Sequence, residues 1–102
     1  MSKNLKKSSY FIRLILQNNI RLTRILLTHA TEKQLQSIAE IFYNVFKLPL
    51  SKAKRENFLK HLKLLKKYIE NKKARKTIIL RNLKIFNKLI LLLRPYLNVL
   101  LK

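Results

Sequence analysis

The chain reads as all-α: a small bundle of three to four amphipathic helices, the last of them strongly apolar. Three observations predict this. Apolar residues recur at three- and four-residue steps, hydrophobic types make up 48% of the 102 residues, and glycine is absent. The length suits one small domain. The apolar content also sets the chain apart from basic disordered tails, which combine low hydrophobicity with many Gly, Ser and Pro.

The first helix is expected over about residues 10–28. Phe11, Ile15, Leu22 and Leu26 fall on one side and Ile12, Leu16, Ile20 and Leu27 on another, leaving a narrow polar strip at Arg13, Gln17, Arg21 and Arg24. Such a helix needs neighbours on two sides. Asn18 and Asn19 weaken its middle, because short amides compete with the helical backbone for hydrogen bonds. The second helix, about 32–46, opens on the capping-box sequence Thr31-Glu32-Lys33-Gln34, with Glu32 favourably placed in the first turn. Leu35, Ile38, Ala39, Phe42, Val45 and Phe46 give it one apolar face, and Leu48-Pro49 ends it.

Ser51 is placed to cap a third helix over about 52–70. Phe58, Leu62, Leu65 and Ile69 form one stripe there, and Lys60, Lys63 and Lys67 stand roughly 180° around from it. A fourth helix, about 77–94, repeats the arrangement with Ile79, Leu83, Phe86 and Ile90 opposite Arg81, Lys84 and Lys88. Each of these positions lies 21 residues after its counterpart, three heptads, so the two helices are in phase. One continuous helix would carry Lys72 and Lys76 on the apolar stripe, so a break is expected within Asn71 to Lys76. Residues 10–94 thus form a single helical domain, preceded by a basic flexible stretch, 1–9. Pro95 ends or kinks the last helix and leaves 95–102 as a short apolar tail.

Charge is the chain's most unusual property. Lys and Arg number 24 against 4 acids, for a formal charge of +20, whereas a small free-standing domain is comfortable at about 2–8. Residues 1–50 carry eight cations and two acids, net +6; residues 51–76 carry eleven and two, net +9; residues 77–102 carry five and none, net +5. Repulsion of this size destabilises a compact fold unless an anionic partner relieves it.

Several function classes drop out. Without cysteine there is no disulfide framework, CxxC redox site or thiolate zinc site. Two histidines and four glutamates with no aspartate make too small a ligand set for most other metals. His29 and His61 are isolated and read as a linker and a helix-surface residue. No nucleophile, base and acid can be assembled from so few acids, and no glycine is present for a phosphate-cradling loop. The expectation is a non-enzymatic protein without cofactor or metal.

Membrane and targeting signals are weak. The longest apolar run, Leu89 to Leu93, falls far short of the roughly 20 residues of a spanning helix. Arg13 interrupts the apolar run after the basic N-terminus, which argues against a secretory signal. The acid-free stretch before Glu32 does have the composition of a mitochondrial presequence, although the whole chain shares that basicity.

Nucleic acid is the partner this charge suits best. Three cations at i, i+3 and i+7 span about 10 Å of helix, comparable with a few phosphate spacings on a duplex. The candidate phosphate contacts are Lys60, Lys63 and Lys67 on the third helix, Lys52, Lys54, Arg55, Lys72, Lys73, Arg75 and Lys76 from its ends, and Arg81, Lys84 and Lys88 on the fourth. Lysines outnumber arginines 17 to 7, which favours sequence-independent phosphate contact over guanine readout. The second and third helices around Lys47 to Leu50 have the order of a helix-turn-helix reader, an order any helical hairpin shares. Phe42, Phe46, Phe58 and Phe86 lie on apolar stripes and read as core, leaving Tyr43 and Tyr68 as candidates for base stacking. Two further partners are weighed: an anionic membrane surface, met by the basic and apolar segment 77–102, and a second copy paired through the apolar C-terminal helix.

Between about Ile25 and Phe86 the chain resembles short basic proteins of Maverick/Polinton-type DNA transposons and adintovirus-like elements. The likeness rests on Leu-Thr-His-Ala-Thr-Glu-Lys-Gln-Leu at 27–35, Glu40-Ile41 followed by Asn44-Val45, the Leu48-Pro49-Leu50 turn, and the basic stretch Ser51 to Lys76 with His61. It implies an adenovirus-like core component that binds and condenses packaged DNA, hence DNA rather than RNA as partner and the nucleus or virion as location, with the mitochondrion as the alternative. Many such proteins continue into a Gly-Gly segment suited to a maturation protease and then an apolar tail. This chain keeps the tail and lacks the glycines.

Overall fold

The hydrogen-bonding groups of the backbone are closed locally throughout: in the computed structural model, which describes residues 8–17, 19–96 and 99, every regular element is helical. Among the described residues seven α-helices stand where the periodicity predicts three or four. They are α1 (Ser9–Ile15), α2 (Ile20–Thr28), α3 (Glu32–Asn44), α4 (Lys52–Lys60), α5 (Leu62–Glu70), α6 (Arg75–Arg81) and α7 (Leu83–Leu92). Short 3₁₀ turns at Val45–Lys47, Lys72–Ala74 and Arg94–Tyr96 complete the order.

Local hydrogen bonds accompany each added interruption. Asn19 adopts an extended backbone, and its side-chain carbonyl accepts from the Leu22 N–H at 3.1 Å, so the amide that weakens the first segment starts a new helix instead. The breaks at His61 and Asn82 are kinks. Asn82 donates its side-chain amide to the Ile78 carbonyl at 2.8 Å, and that carbonyl also receives the Asn82 backbone N–H at 3.2 Å. Asn57 donates to the Ala53 carbonyl in the same way within unbroken α4, so this bond accompanies the break at Asn82 and does not by itself cause it. At His61 the backbone N–H turns to the Phe58 carbonyl three residues back, at 3.2 Å, which tightens one turn. Both helices resume immediately, through Leu65 N–H to His61 and Phe86 N–H to Asn82, each at 3.0 Å.

Other boundaries follow the caps. Thr31 and Gln34 exchange the two bonds of a capping box at 3.1 and 2.9 Å, and Ser51 Oγ accepts from the Lys54 N–H at 3.3 Å. Leu48 is extended ahead of Pro49, and the chain turns at Asn71 into the 3₁₀ stretch before α6. The expected N-terminal stretch 1–9 lies outside the described residues as far as residue 7, and of the tail 95–102 only 95, 96 and 99 are described. Tyr96 anchors the start of that tail by donating its hydroxyl to the Pro49 carbonyl at 3.1 Å.

The core joins all seven helices. α3 packs on α5, α2 on α6 and α7, α5 on α6, and α4 on α7, so the arms α4–α5 and α6–α7 form an antiparallel hairpin. Phe42, Tyr68 and Phe86 meet as a triangle of rings with centroids 5.3–6.3 Å apart, mostly edge to face. The radius of gyration is 12.4 Å, against about 13 Å for a folded chain of this length, so the excess charge is carried on a closed fold.

Besides Ser8, Thr23 and Ser37, the polar side chains of Tyr68 and Arg75 are buried in it. Tyr68 is fully buried and donates its hydroxyl to the Leu35 carbonyl at 2.7 Å. Arg75, 7% exposed, donates through Nε to the Tyr68 carbonyl at 3.1 Å and through Nη2 to the Ile69 carbonyl at 2.6 Å. These are the orphan carbonyls of the last turn of α5, where a cation also meets the negative end of the helix dipole. Arg75→Leu should cost about 2–4 kcal/mol in urea denaturation, as expected for charge-assisted bonds to buried acceptors, while Lys84→Ala should stay within about 0.5 kcal/mol. Burial pushes the Tyr68 hydroxyl above the ordinary tyrosine range, and the Arg75 charge opposes the shift only in part. The folded state therefore keeps this proton to higher pH than the unfolded state, and its contribution is whole below about pH 10 and lost as pH rises beyond it. Tyr68→Phe should remove that part of the alkaline loss of stability, read as the difference between the two proteins' urea midpoints at neutral and alkaline pH.

Candidate nucleic-acid interface

The cationic side chains divide into a group gathered by the fold and a group used by it. Lys60, Lys63 and Lys67 line one wall of an open groove of about 400 Å³, together with His61 and Leu64, and Asn82 and Ile85 form the other wall. Its neighbour, about 410 Å³, shares Asn82 and Ile85 and is lined by Arg24, Arg81 and Lys84. The two hollows therefore form one surface with cations from α2, α4, α5, α6 and α7, and neither lining includes a carboxylate. The half-buried Leu64 and Ile85 make an apolar floor. Lys88 is exposed one turn beyond Lys84.

Helix position explains the gathering. Phe58, Leu65, Ile79 and Phe86 are buried in the core, and the opposite faces of the same helices must then carry Lys60, Lys63, Lys67, Arg81 and Lys84 outward. The kinks at His61 and Asn82 lie in the groove itself.

Four of the expected contacts have other roles. Arg75 is a correction: it is buried and bonded to two carbonyls, and is no surface ligand. Lys76 is half-buried and donates Nζ to the Thr28 carbonyl at 3.0 Å, closing the C-terminal end of α2. Arg55 lies 5.9 Å from the Phe46 ring centroid and reaches the Phe46 carbonyl at 3.5 Å, and Lys54 Nζ stands 5.1 Å from the Tyr96 ring centroid. Lys52, Lys72 and Lys73 are exposed, the last two beside Glu32 in a separate hollow of about 250 Å³.

Three other expectations change. Tyr68 is no stacking platform, because its ring is at the centre of the core; Tyr43 is 69% exposed but lines neither hollow of the groove. Of the segment 77–102 offered by the sequence to a membrane, and of its helix offered to a second copy, the apolar face is occupied as far as it is described: Ile78, Ile79, Leu83, Phe86, Leu89 and Ile90 are buried within the chain. No helix among the described residues is long and apolar enough to cross a membrane. Arg24 was absent from the expected contacts. It sits on the polar strip of the first segment, but its place beside Arg81 depends on how α2 packs against the hairpin.

No protein-family model, curated protein or solved structure matches the chain. Its own geometry then describes the chain: among the described residues, a small helical domain with a cationic groove whose lining holds no carboxylate.

A concentrated cationic surface should be stabilised by multivalent anions. Inorganic tripolyphosphate in large excess, at constant ionic strength, should raise the melting temperature by about 5 °C or more, since ligand linkage supplies a few kcal/mol and each is worth about 4–8 °C in a domain of this size. The Lys60→Gln, Lys63→Gln, Lys67→Gln variant should lose much of that rise in differential scanning fluorimetry.

Proposed function

We propose that this protein binds duplex DNA through its phosphates, without enzymatic activity and with little sequence preference, and condenses it as a packaging or core component of a virus-like or mobile element. The observation that carries the reading is the groove, where Arg24, Lys60, Lys63, Lys67, Arg81 and Lys84 converge from separate helices with no carboxylate among them. A surface that is only solvated would intersperse acids among its cations. Here the cations repel one another until a polyanion arrives, and a phosphate backbone supplies charge at the matching density.

Lysine supplies four of the six, and point charges on flexible stems suit phosphate better than base edges. Among the described residues no Phe or Tyr lines the groove, which leaves the His61 imidazole as its ring for stacking by a single strand. The apolar segment 77–94 acts in this reading as the central element of the bundle, and the likeness of residues 25–86 to transposon-borne core proteins points to DNA over RNA and to the nucleus or virion.

Affinity for two unrelated duplexes, measured by fluorescence anisotropy between about 50 and 200 mM salt, tests this. Six phosphate contacts predict a log–log slope of about −5 and a loss of about 10³ in affinity across that range, similar for both sequences. Lys60→Gln, Lys63→Gln, Lys67→Gln should reduce the slope by about 2.7, at about 0.9 per contact. A flat salt response would sink the proposal.

A further inference from the structure

The two arms of the hairpin are copies of one pattern, in structure as well as in sequence. Adding 21 to a residue number carries Lys60 to Arg81, Lys63 to Lys84 and Lys67 to Lys88, and all six are exposed. The same step carries the buried Phe58 to Ile79 and Leu65 to Phe86, and the half-buried Leu64 to Ile85. It also carries one kink to the other, His61 to Asn82. The arms run antiparallel, with α5 on α6 near the turn and α4 on α7 away from it.

Antiparallel copies with this offset have a particular symmetry. His61 precedes the first residue of the turn at 71–74 by ten positions and Asn82 follows its last by eight, which puts the kinks within about 3 Å of one level on adjacent arms, at 1.5 Å per residue. A two-fold axis through that level, normal to the plane of the hairpin, exchanges the arms and reverses their direction, which is the step of 21 residues. It leaves the outer face of the hairpin on the same side. His61, Leu64, Asn82 and Ile85 border one groove, where such an axis would emerge. Each arm then presents the same three cations over about 10 Å, at 1.5 Å per residue, running in opposite directions.

A duplex has the same symmetry, since its antiparallel strands are related by two-fold axes through its grooves, whereas a single strand has none. Packed helices lie about 8–10 Å apart. That places the cation rows at a separation between the widths of the minor groove, about 6 Å, and the major groove, about 12 Å. On the reading proposed above, on which this step rests, we infer that the hairpin straddles one duplex groove along a shared two-fold axis, with Lys60, Lys63 and Lys67 on one strand and Arg81, Lys84 and Lys88 on the other. Arg24, beside Arg81, is an addition on one side only.

The full chain is titrated with salt against a duplex DNA and against a single strand carrying the same number of phosphates. Two variants accompany it, Lys60→Gln, Lys63→Gln, Lys67→Gln and Arg81→Gln, Lys84→Gln, Lys88→Gln, with circular dichroism confirming unchanged helicity. Expected on the duplex is a similar drop for either variant, about 2.7 in slope and about 100-fold or more in affinity near 0.1 M salt. On the single strand, slopes convert at about 0.7 rather than 0.9 per contact, and the native chain should make about half as many contacts. An equal number of contacts on both polymers, or a duplex slope that survives loss of one row, overturns the two-strand arrangement and leaves phosphate binding standing. Absence of salt-dependent binding to either polymer overturns both.

Discussion

A single buried guanidinium fixes where the charged surface can form. Arg75 begins α6 and reaches back to the carbonyls of Tyr68 and Ile69 at the end of α5, so the direction of the second arm is set by bonds to the first. Burying a cation is costly unless its hydrogen bonds are made, and an orphan helix end supplies acceptors together with a negative dipole. The neighbouring Tyr68 then ties α5 to α3 through the Leu35 carbonyl. Were the turn at 71–74 to open, both tethers would be lost together, and the rows on the two arms would no longer face the same groove.

Arg75 is one case of a wider solution to an excess of cations. With 4 acids for 24 Lys and Arg, ion pairs can satisfy few of them, but helix C-termini offer acceptors of the right sign. Lys76 takes the Thr28 carbonyl at the end of α2, and Arg55 approaches the Phe46 carbonyl beside that ring. These positions belong to the densest basic stretch of the sequence, and their charge is directed inward or along the surface of the fold. Of the cations left to face solvent, Arg24, Lys60, Lys63, Lys67, Arg81 and Lys84 border the groove, while others, Lys33, Lys47, Lys52, Lys66 and Arg94 among them, are exposed outside its lining.

Much of this was legible before any coordinates. Thr31, Ser51 and Pro49 mark helix boundaries by local chemistry alone, and the Phe58 and Ile79 stripes locate both the core and, by opposition, Lys60, Lys63, Lys67, Arg81 and Lys84. The kinks were hidden because neither glycine nor proline signals them, and the side-chain amide bond at Asn82 recurs at Asn57 without a break. Tyr68 and Arg75 were misread for a different reason. Each resembles its exposed neighbours in sequence, and the burial of Tyr68 is decided by a carbonyl 33 residues away. Arg24 likewise gains its setting from the packing of α2 on the hairpin, which no periodicity records.

Stability and binding in such a molecule are not separable quantities. Six like charges around one groove raise the free energy of the folded state before anything binds, and the core must offset that repulsion. A polyanion removes the repulsion and, if it engages the folded arrangement better than the unfolded polycation, shifts the folding equilibrium by its differential affinity. The unfolded chain carries the same +20 and attracts the same polymer, so charge alone gives no preference for the folded state. Preference must come from arrangement: cations held at fixed separation on two rigid arms meet several phosphates at once without ordering each side chain from a flexible chain. The kinks, the turn at Arg75 and the apolar stripes contribute to binding in this sense, by setting the spacing at which an otherwise nonspecific charge is presented.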